Sequence, residues 1–175
     1  MLNKDLISKF SDGVRVILVT NRKGNEKFFI SRHRQEFEQK VKEEYEKLQS
    51  GFRIYSNVNK RNLEKAIRLF KEQQLKADYI EQLRKPFYTR IERYFISALS
   101  SPSSRDEKQF IIDIDDLSIE NEIKNLMSMN NIKSIFEYGT ITGKHIVVEP
   151  FNVKLIPLSD KVHVLKDGML LIGFK

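Results

Sequence analysis

The chain has 175 residues, 40% hydrophobic and 31% charged, with 31 Lys and Arg against 24 Asp and Glu. That length and balance suit a globular chain with a sizeable core and argue against long disorder. Cysteine is absent, which excludes disulfides, cysteine-built zinc ribbons and iron–sulfur clusters and fits a reducing cytoplasm.

No run of about 18 apolar residues occurs, so no membrane span is expected. Lys4, Asp5 and Lys9 interrupt residues 1–10, which predicts that no signal peptide is present. The charge is uneven. Residues 1–100 carry 22 Lys and Arg against 13 Asp and Glu, whereas residues 101–175 carry 9 against 11. A basic first part suits a polyanion, and an acidic second part suits a metal ion.

In chain order, residues 14–20 (VRVILVT) and 26–31 read as two strands joined by a hairpin turn at 21–25 (NRKGN). Residues 33–49 repeat apolar groups at Phe37, Val41, Tyr45 and Leu48, one stripe of a helix that Gly51 ends. Residues 52–58 (FRIYSNV) predict a short strand. Asn59 then caps a helix striped by Leu63, Ala66, Ile67 and Phe70, which continues to Lys85 before Pro86. Phe87, Ile91, Tyr94, Phe95, Ala98 and Leu99 predict a third amphipathic helix with Arg90 and Arg93 on its polar side. Residues 100–104 (SSPSS) are the clearest break in the chain.

Beyond the break, residues 109–116 read QFIIDIDD. The period of two places Phe110, Ile112 and Ile114 on one strand face and Asp113 and Asp115 on the other, while Asp116 points the other way or ends the strand. The two carboxylates stand roughly 7 Å apart along the strand. That spacing fits either a pair of oxygen donors for Mg²⁺ or Mn²⁺ or a strand running into an acidic turn. Ile119, Ile123, Leu126 and Met127 mark a helix that Ser118 caps. Residues 132–138 and 144–149 predict a hairpin around 139–143. Residues 161–166 and 169–174 predict a last hairpin turning at Asp167–Gly168, because Asp-Gly is a strong turn signal. His145 enters its strand after Gly143 and Lys144, small and basic residues that leave room for a phosphate group.

These residues resemble the archaeo-eukaryotic primase superfamily, the primase–polymerases of archaea, eukaryotes, plasmids and phages. Asp113-Ile114-Asp115 resembles that family's acidic strand, and Gly143-Lys144-His145 its small-x-His motif. Residues 55–59 (YSNVN), Pro86-Phe87-Tyr88 and residues 145–152 (HIVVEPFN) resemble its surrounding segments, so the likeness runs from about residue 50 onward. The resemblance implies an α+β chain, one domain over 1–175. Residues 1–100 would form a helix-rich basic part. Residues 105–175 would form a catalytic palm with a mixed or antiparallel sheet of RNA-recognition type. It implies that Asp113 and Asp115 hold Mg²⁺ or Mn²⁺, and that His145, with Lys144 and Gly143, meets the triphosphate of an incoming nucleotide. The family's third carboxylate follows an apolar residue. Asp167 is the nearest counterpart but follows Lys166 and equally suits a turn, and Asp160 follows Ser159.

The activity so implied is primer synthesis from nucleoside triphosphates on a single-stranded DNA template. The setting is the cytoplasm of a bacterial, archaeal or phage-infected cell, with a helicase or other replication protein as partner. Phosphoryl transfer needs charge neutralisation and in-line positioning more than covalent chemistry, which these residue types supply. Arg53, Lys60, Arg61, Lys65, Arg84, Arg90 and Arg93 are candidates for nucleic-acid phosphates, and Tyr55 or Tyr88 for base stacking. The alternative is a non-catalytic single-strand-binding accessory protein of the same fold. A replication-initiator nuclease ranks last, because the chain has no His-x-His pair.

Overall fold

The computed structural model describes residues 1–21, 23–157 and 159–175 and shows an α+β chain of two compact units. The first unit is Met1–Glu107 with Leu170–Lys175, and the second is Lys108–Met169. The Ser/Pro break at 100–104 lies just before the change of unit, and the end of the chain returns to the first unit. Among the described residues no helix is long and apolar enough to cross a membrane.

In the first unit, β1 (Arg15–Asn21) pairs antiparallel with β2 (Glu26–Ser31) and β3 (Phe52–Asn57). The last strand, β8 (Met169–Phe174), completes the order β2-β1-β3-β8. Leu2 bridges Gly173, after which α1 (Lys4–Phe10) begins with Asn3 accepting from the Leu6 amide at 3.0 Å. Alternation in β1 divides the sheet's apolar groups between its two faces. Val16, with Phe28 and Ile30, packs against Leu63, Ala66, Ile96 and Leu99. These come from α3 (Leu63–Tyr79) and α5 (Ile91–Ser100). Val19 and Phe29 face α2 (Arg34–Glu46), where Lys40 Nζ sits 4.3 Å from the Phe29 ring centroid. Between α3 and α5 runs α4 (Glu81–Thr89), whose Phe87 stacks within 5.4 Å of Phe70 and 4.7 Å of Tyr94.

Arg15 anchors the far end of β1 and is 1% exposed. Its guanidinium donates to the carbonyls of Asp12, Asn57 and Val58 at 3.0, 3.1 and 2.8 Å, and reaches Glu107 at 3.5 Å. Burial pushes its pKa down to about 10 against the pull of Glu107. Ser56, Asn57, Val58 and Asn59 therefore form a buried corner at this side chain. Arg15→Met is expected to cost about 2–4 kcal/mol, because buried carbonyls lose their donors. A urea titration measures it, and a loss below about 1 kcal/mol would remove Arg15 as the anchor.

The second unit runs β4 (Phe110–Ile114), α6 (Glu120–Met129), β5 (Ser134–Gly139), β6 (Lys144–Val148) and β7 (Val162–Leu165). The sheet order is β5-β6-β4-β7, with every neighbouring pair antiparallel. Phe110, Ile112, Ile114, Ile146, Val148 and Val162 form one face, on which Ile123 and Met127 of α6 close the core. At the end of α6, Asn131 takes a positive φ of 52° while its amide and that of Ile132 return to Ser128 and Met127.

Several expectations need correction. Pro86 does not end a helix. The chain breaks earlier, at extended Ile80, and again at Arg90, leaving Pro86 inside α4 because burial of neighbouring Phe87 holds that turn. The helix expected over 87–99 is consequently two helices. Asn62, not Asn59, caps α3, since the Arg61 amide is still bonded to the Val14 carbonyl in an extended bridge. Asp116, not Ser118, caps the 3-10 turn at Leu117–Ile119 that leads into α6. The last hairpin does not exist, because β7 and β8 belong to different sheets. Gly168 lacks the positive φ that a tight Asp-Gly hairpin turn requires. A Cβ there would lie 2.7 Å from Ile111 Cδ1, so this glycine serves packing. The expected turn at 21–25 includes Arg22, which lies outside the described residues; beside it, Asn21 Oδ1 accepts from the Lys23 and Asn25 amides.

Candidate active site on the second sheet

The face of the second sheet opposite α6 brings together several of the residues singled out from the sequence. Asp113 pairs with His145 of β6, and His145 pairs with Tyr138 of β5, so all three share that face. His145 Nε2 lies 2.9 Å from Asp113 Oδ1. A carboxylate only accepts, so Nε2–H is the donor. In the neutral ring Nδ1 then accepts from the Tyr138 hydroxyl at 2.7 Å, and the two rings meet edge-on at 5.1 Å. His145 is 8% exposed and Tyr138 7%. The imidazole is thus held at both nitrogens while the Asp113 side chain stays partly open.

Asp115 follows the end of β4 and is exposed. Its amide donates to the Lys161 carbonyl at 2.9 Å, so the β4–β7 ladder carries one step past Ile114 and keeps Asp115 on the face of Asp113. Asp116 is committed to structure. Its carboxylate accepts from Lys161 Nζ at 2.7 Å and from the Ser118 amide at 2.9 Å, which holds its pKa well below the carboxylate range.

Gly143 stands where β6 passes β4. A Cβ at this position would lie 2.0 Å from the Ile114 carbonyl oxygen. The missing side chain therefore lets two strands approach at the Ile114–Asp115 peptide. Lys144, paired with Ile114, belongs to the α6 face. Its Nζ lies 2.7 Å from Glu120 and 2.8 Å from Glu137, and Lys124 joins the same two carboxylates at 2.9 and 3.2 Å. The structure thus separates Lys144 from Asp113 and His145.

Hydrogen bonds from Lys144 lower the pKa of Glu120 and Glu137, and theirs raise that of Lys144. For a lowered carboxylate, the stabilisation is present above its ordinary value of 4.5 and is lost as pH falls through the folded value. Glu137→Gln is therefore expected to be less stable than the parent at pH 7 and to converge with it near pH 3. Thermal midpoints across that range test this, and parallel curves would contradict it.

Asp167 sits in the turn after β7. The register places His163, not Asp167, opposite Asp113, and antiparallel pairing carries Asp167 toward the Phe110 end of β4. Four residues at about 3.3 Å each put it roughly 13 Å along the strand from His163. Asp167 is thus separated from the Asp113–Asp115 end of the strand. Asp160 lies in the turn at the Asp115 end and is exposed.

Among the described residues no three His, Cys, Asp or Glu side chains form a metal-holding group. Asp113 and Asp115 nonetheless offer oxygen donors on one face, the chemistry that suits Mg²⁺ or Mn²⁺. Reasoning from sequence missed Tyr138 and His163. The first follows from symmetry about the 139–143 turn, which sets residue 138 against residue 145. The second follows from the alternation Val162-His163-Val164, which puts the imidazole opposite the core face.

The basic candidates all lie in the first unit. Arg61 is only 3% exposed and donates to the Ser101 carbonyl at 3.1 Å, so it is built into the fold instead of being presented to a ligand. Lys60 pairs with Asp12 at 3.0 Å, Lys65 reaches the Arg105 carbonyl at 2.8 Å, and Arg53 donates to the Tyr55 hydroxyl at 3.3 Å. Arg84, Arg90 and Arg93 are exposed on α4 and α5 and at their junction. Tyr88 is also exposed, although its hydroxyl donates to Asp78 at 2.7 Å. Comparison with models of protein families, with curated proteins and with solved structures finds no match for this chain.

Proposed function

We propose that the chain is a nucleotidyltransferase of primase–polymerase type, joining nucleoside triphosphates on a single-stranded template. The observation that carries this reading is the in-register pairing of Asp113 with His145, two residues singled out from separate motifs 32 positions apart. The strand order of the second unit adds support. Numbered within the unit the order is 2-3-1-4, the arrangement of an RNA-recognition-type sheet, with a 3-10 turn at Val153–Leu155 where a second helix would run.

In this reading Asp113 and Asp115 hold Mg²⁺ or Mn²⁺, which when bound neutralises phosphate charge and favours departure of pyrophosphate. His145, oriented by Tyr138, would pass its Nε2–H from Asp113 to a phosphate oxygen when nucleotide binds. Lys144 has no part in this chemistry. Its role is to fasten α6 to the sheet. A helicase or another replication protein would bring the template.

Incorporation of labelled nucleotide on single-stranded DNA, with Mg²⁺ or Mn²⁺, tests the proposal. Asp113→Ala and Asp115→Ala are each expected to abolish it, and normal activity in both variants would sink the mechanism. The second reading, metal-independent binding of single strands, draws on the exposed Arg84, Arg90 and Arg93. It predicts salt-sensitive binding without incorporation.

A further inference from the structure

The geometry points to His163 as the ligand that completes a mixed imidazole–carboxylate cation site with Asp113 and Asp115. This rests on the reading of the two aspartates as cation-holding residues and deepens it by naming the third donor and the preferred metal. Three observations carry it. His163 lies directly across from Asp113 on β7, so the two share a sheet face at one strand spacing, about 4.8 Å. It is exposed, on an edge strand, and its side chain has no hydrogen-bond or ion-pair partner among the described residues. The one other imidazole on that face beside Asp113, His145, is already held at both nitrogens. Asp113 Oδ1 is engaged by His145, which leaves its second oxygen for a cation on the β7 side.

The acidic alternative is weaker. Asp167 lies at the other end of the strand pair, whereas Val162-His163 supplies an apolar residue followed by a metal-binding one at the position facing Asp113. In this structure the donors do not yet surround a common point. The exposed imidazole and the exposed Asp115 carboxylate would close on the ion by side-chain rotation.

The donor set decides the metal. Mg²⁺ strongly prefers six oxygens, whereas imidazole nitrogen suits first-row transition metals. The site should accordingly prefer Mn²⁺ and Co²⁺ to Mg²⁺.

The test is titration of the full chain, without nucleotide, with Mn²⁺ followed by loss of the free-ion paramagnetic resonance signal, and with Mg²⁺ as competitor. The parent should bind Mn²⁺ at least about tenfold more tightly than Mg²⁺, and His163→Ala should lose about 10–100-fold in Mn²⁺ affinity. His163→Asp, which substitutes a hard oxygen, should narrow the preference by strengthening Mg²⁺. Because His163 is exposed, urea midpoints should stay unchanged and exclude unfolding as the cause. Mn²⁺ affinity within threefold of the parent in His163→Ala, or equal binding of the two ions by the parent, overturns the assignment. The two proposals fail separately. Mn²⁺ binding that depends on His163 without nucleotide incorporation removes the transferase and keeps the site. Incorporation with His163-independent Mn²⁺ binding does the reverse.

Discussion

Asp113→Asn is expected to lower nucleotide incorporation by about 10²–10³-fold, the usual scale for losing one preorganised electrostatic group. The substitution keeps shape and keeps an oxygen that can accept from His145 Nε2, now 2.9 Å from the carboxylate. What it removes is charge, and with it the ability to hold a divalent cation. The unfolding midpoint should therefore move by less than about 1 kcal/mol, which separates a lost site from a lost fold. Lys144→Met is the contrasting variant. It breaks the contacts to Glu120 and Glu137 on the opposite face, so stability should fall while incorporation by the remaining folded protein persists. Both variants belong in one experiment, a single-turnover assay beside a urea titration. Undiminished incorporation by Asp113→Asn would take Asp113 out of the chemistry. Complete loss in folded Lys144→Met would return Lys144 to the site.

Gly143→Ala is expected to destabilise the second unit by about 3 kcal/mol, at the upper end of what added volume costs in a packed interior. The added methyl would meet the Ile114 carbonyl oxygen at 2.0 Å, its carbon at 3.0 Å and Asp115 Cα at 3.1 Å. All three are backbone atoms, so no side-chain rotation relieves the clash, and the end of β4 has to move. Turn contacts add to the cost, because the Gly143 carbonyl accepts from the Thr140 amide at 2.9 Å and the Gly143 amide donates to Thr140 Oγ1 at 3.1 Å. The shift falls on the peptide that carries Asp115, so cation affinity should drop together with stability. Urea midpoints and Mn²⁺ titration on the same preparation check the pair of effects. A loss below 1 kcal/mol would mean that the two strands separate more easily than their register suggests.

Much of the second unit was legible in the chain itself. Alternation in QFIIDIDD separated the core face from the acidic face, because side chains on a strand have a strict period of two. The hairpin around 139–143 followed from two β-branched runs about a short turn. These are local effects, written within a few residues. Less of the first unit was legible. Pro86 and Asn59 read as helix punctuation, but burial of Phe87 and the bridge from Arg61 to Val14 outweighed those propensities. Arg61 read as a candidate for nucleic-acid phosphates, yet its carbonyl partner lies 40 residues away, and Arg15, inside an apolar run, finds one 42 residues away.

The same division runs through QFIIDIDD. Its sequence alone determined that Asp113 and Asp115 share a face, since backbone geometry settles it, and left Asp116 either pointing the other way or ending the strand. Only the tertiary structure decided what stands on either side of Asp113. Strand pairing joins segments distant in the chain, and a register shift of one residue would have turned every side chain to the other face. The observed register brings His145 to one flank and His163 to the other, and it carries Asp167 away to the far end of the strand pair.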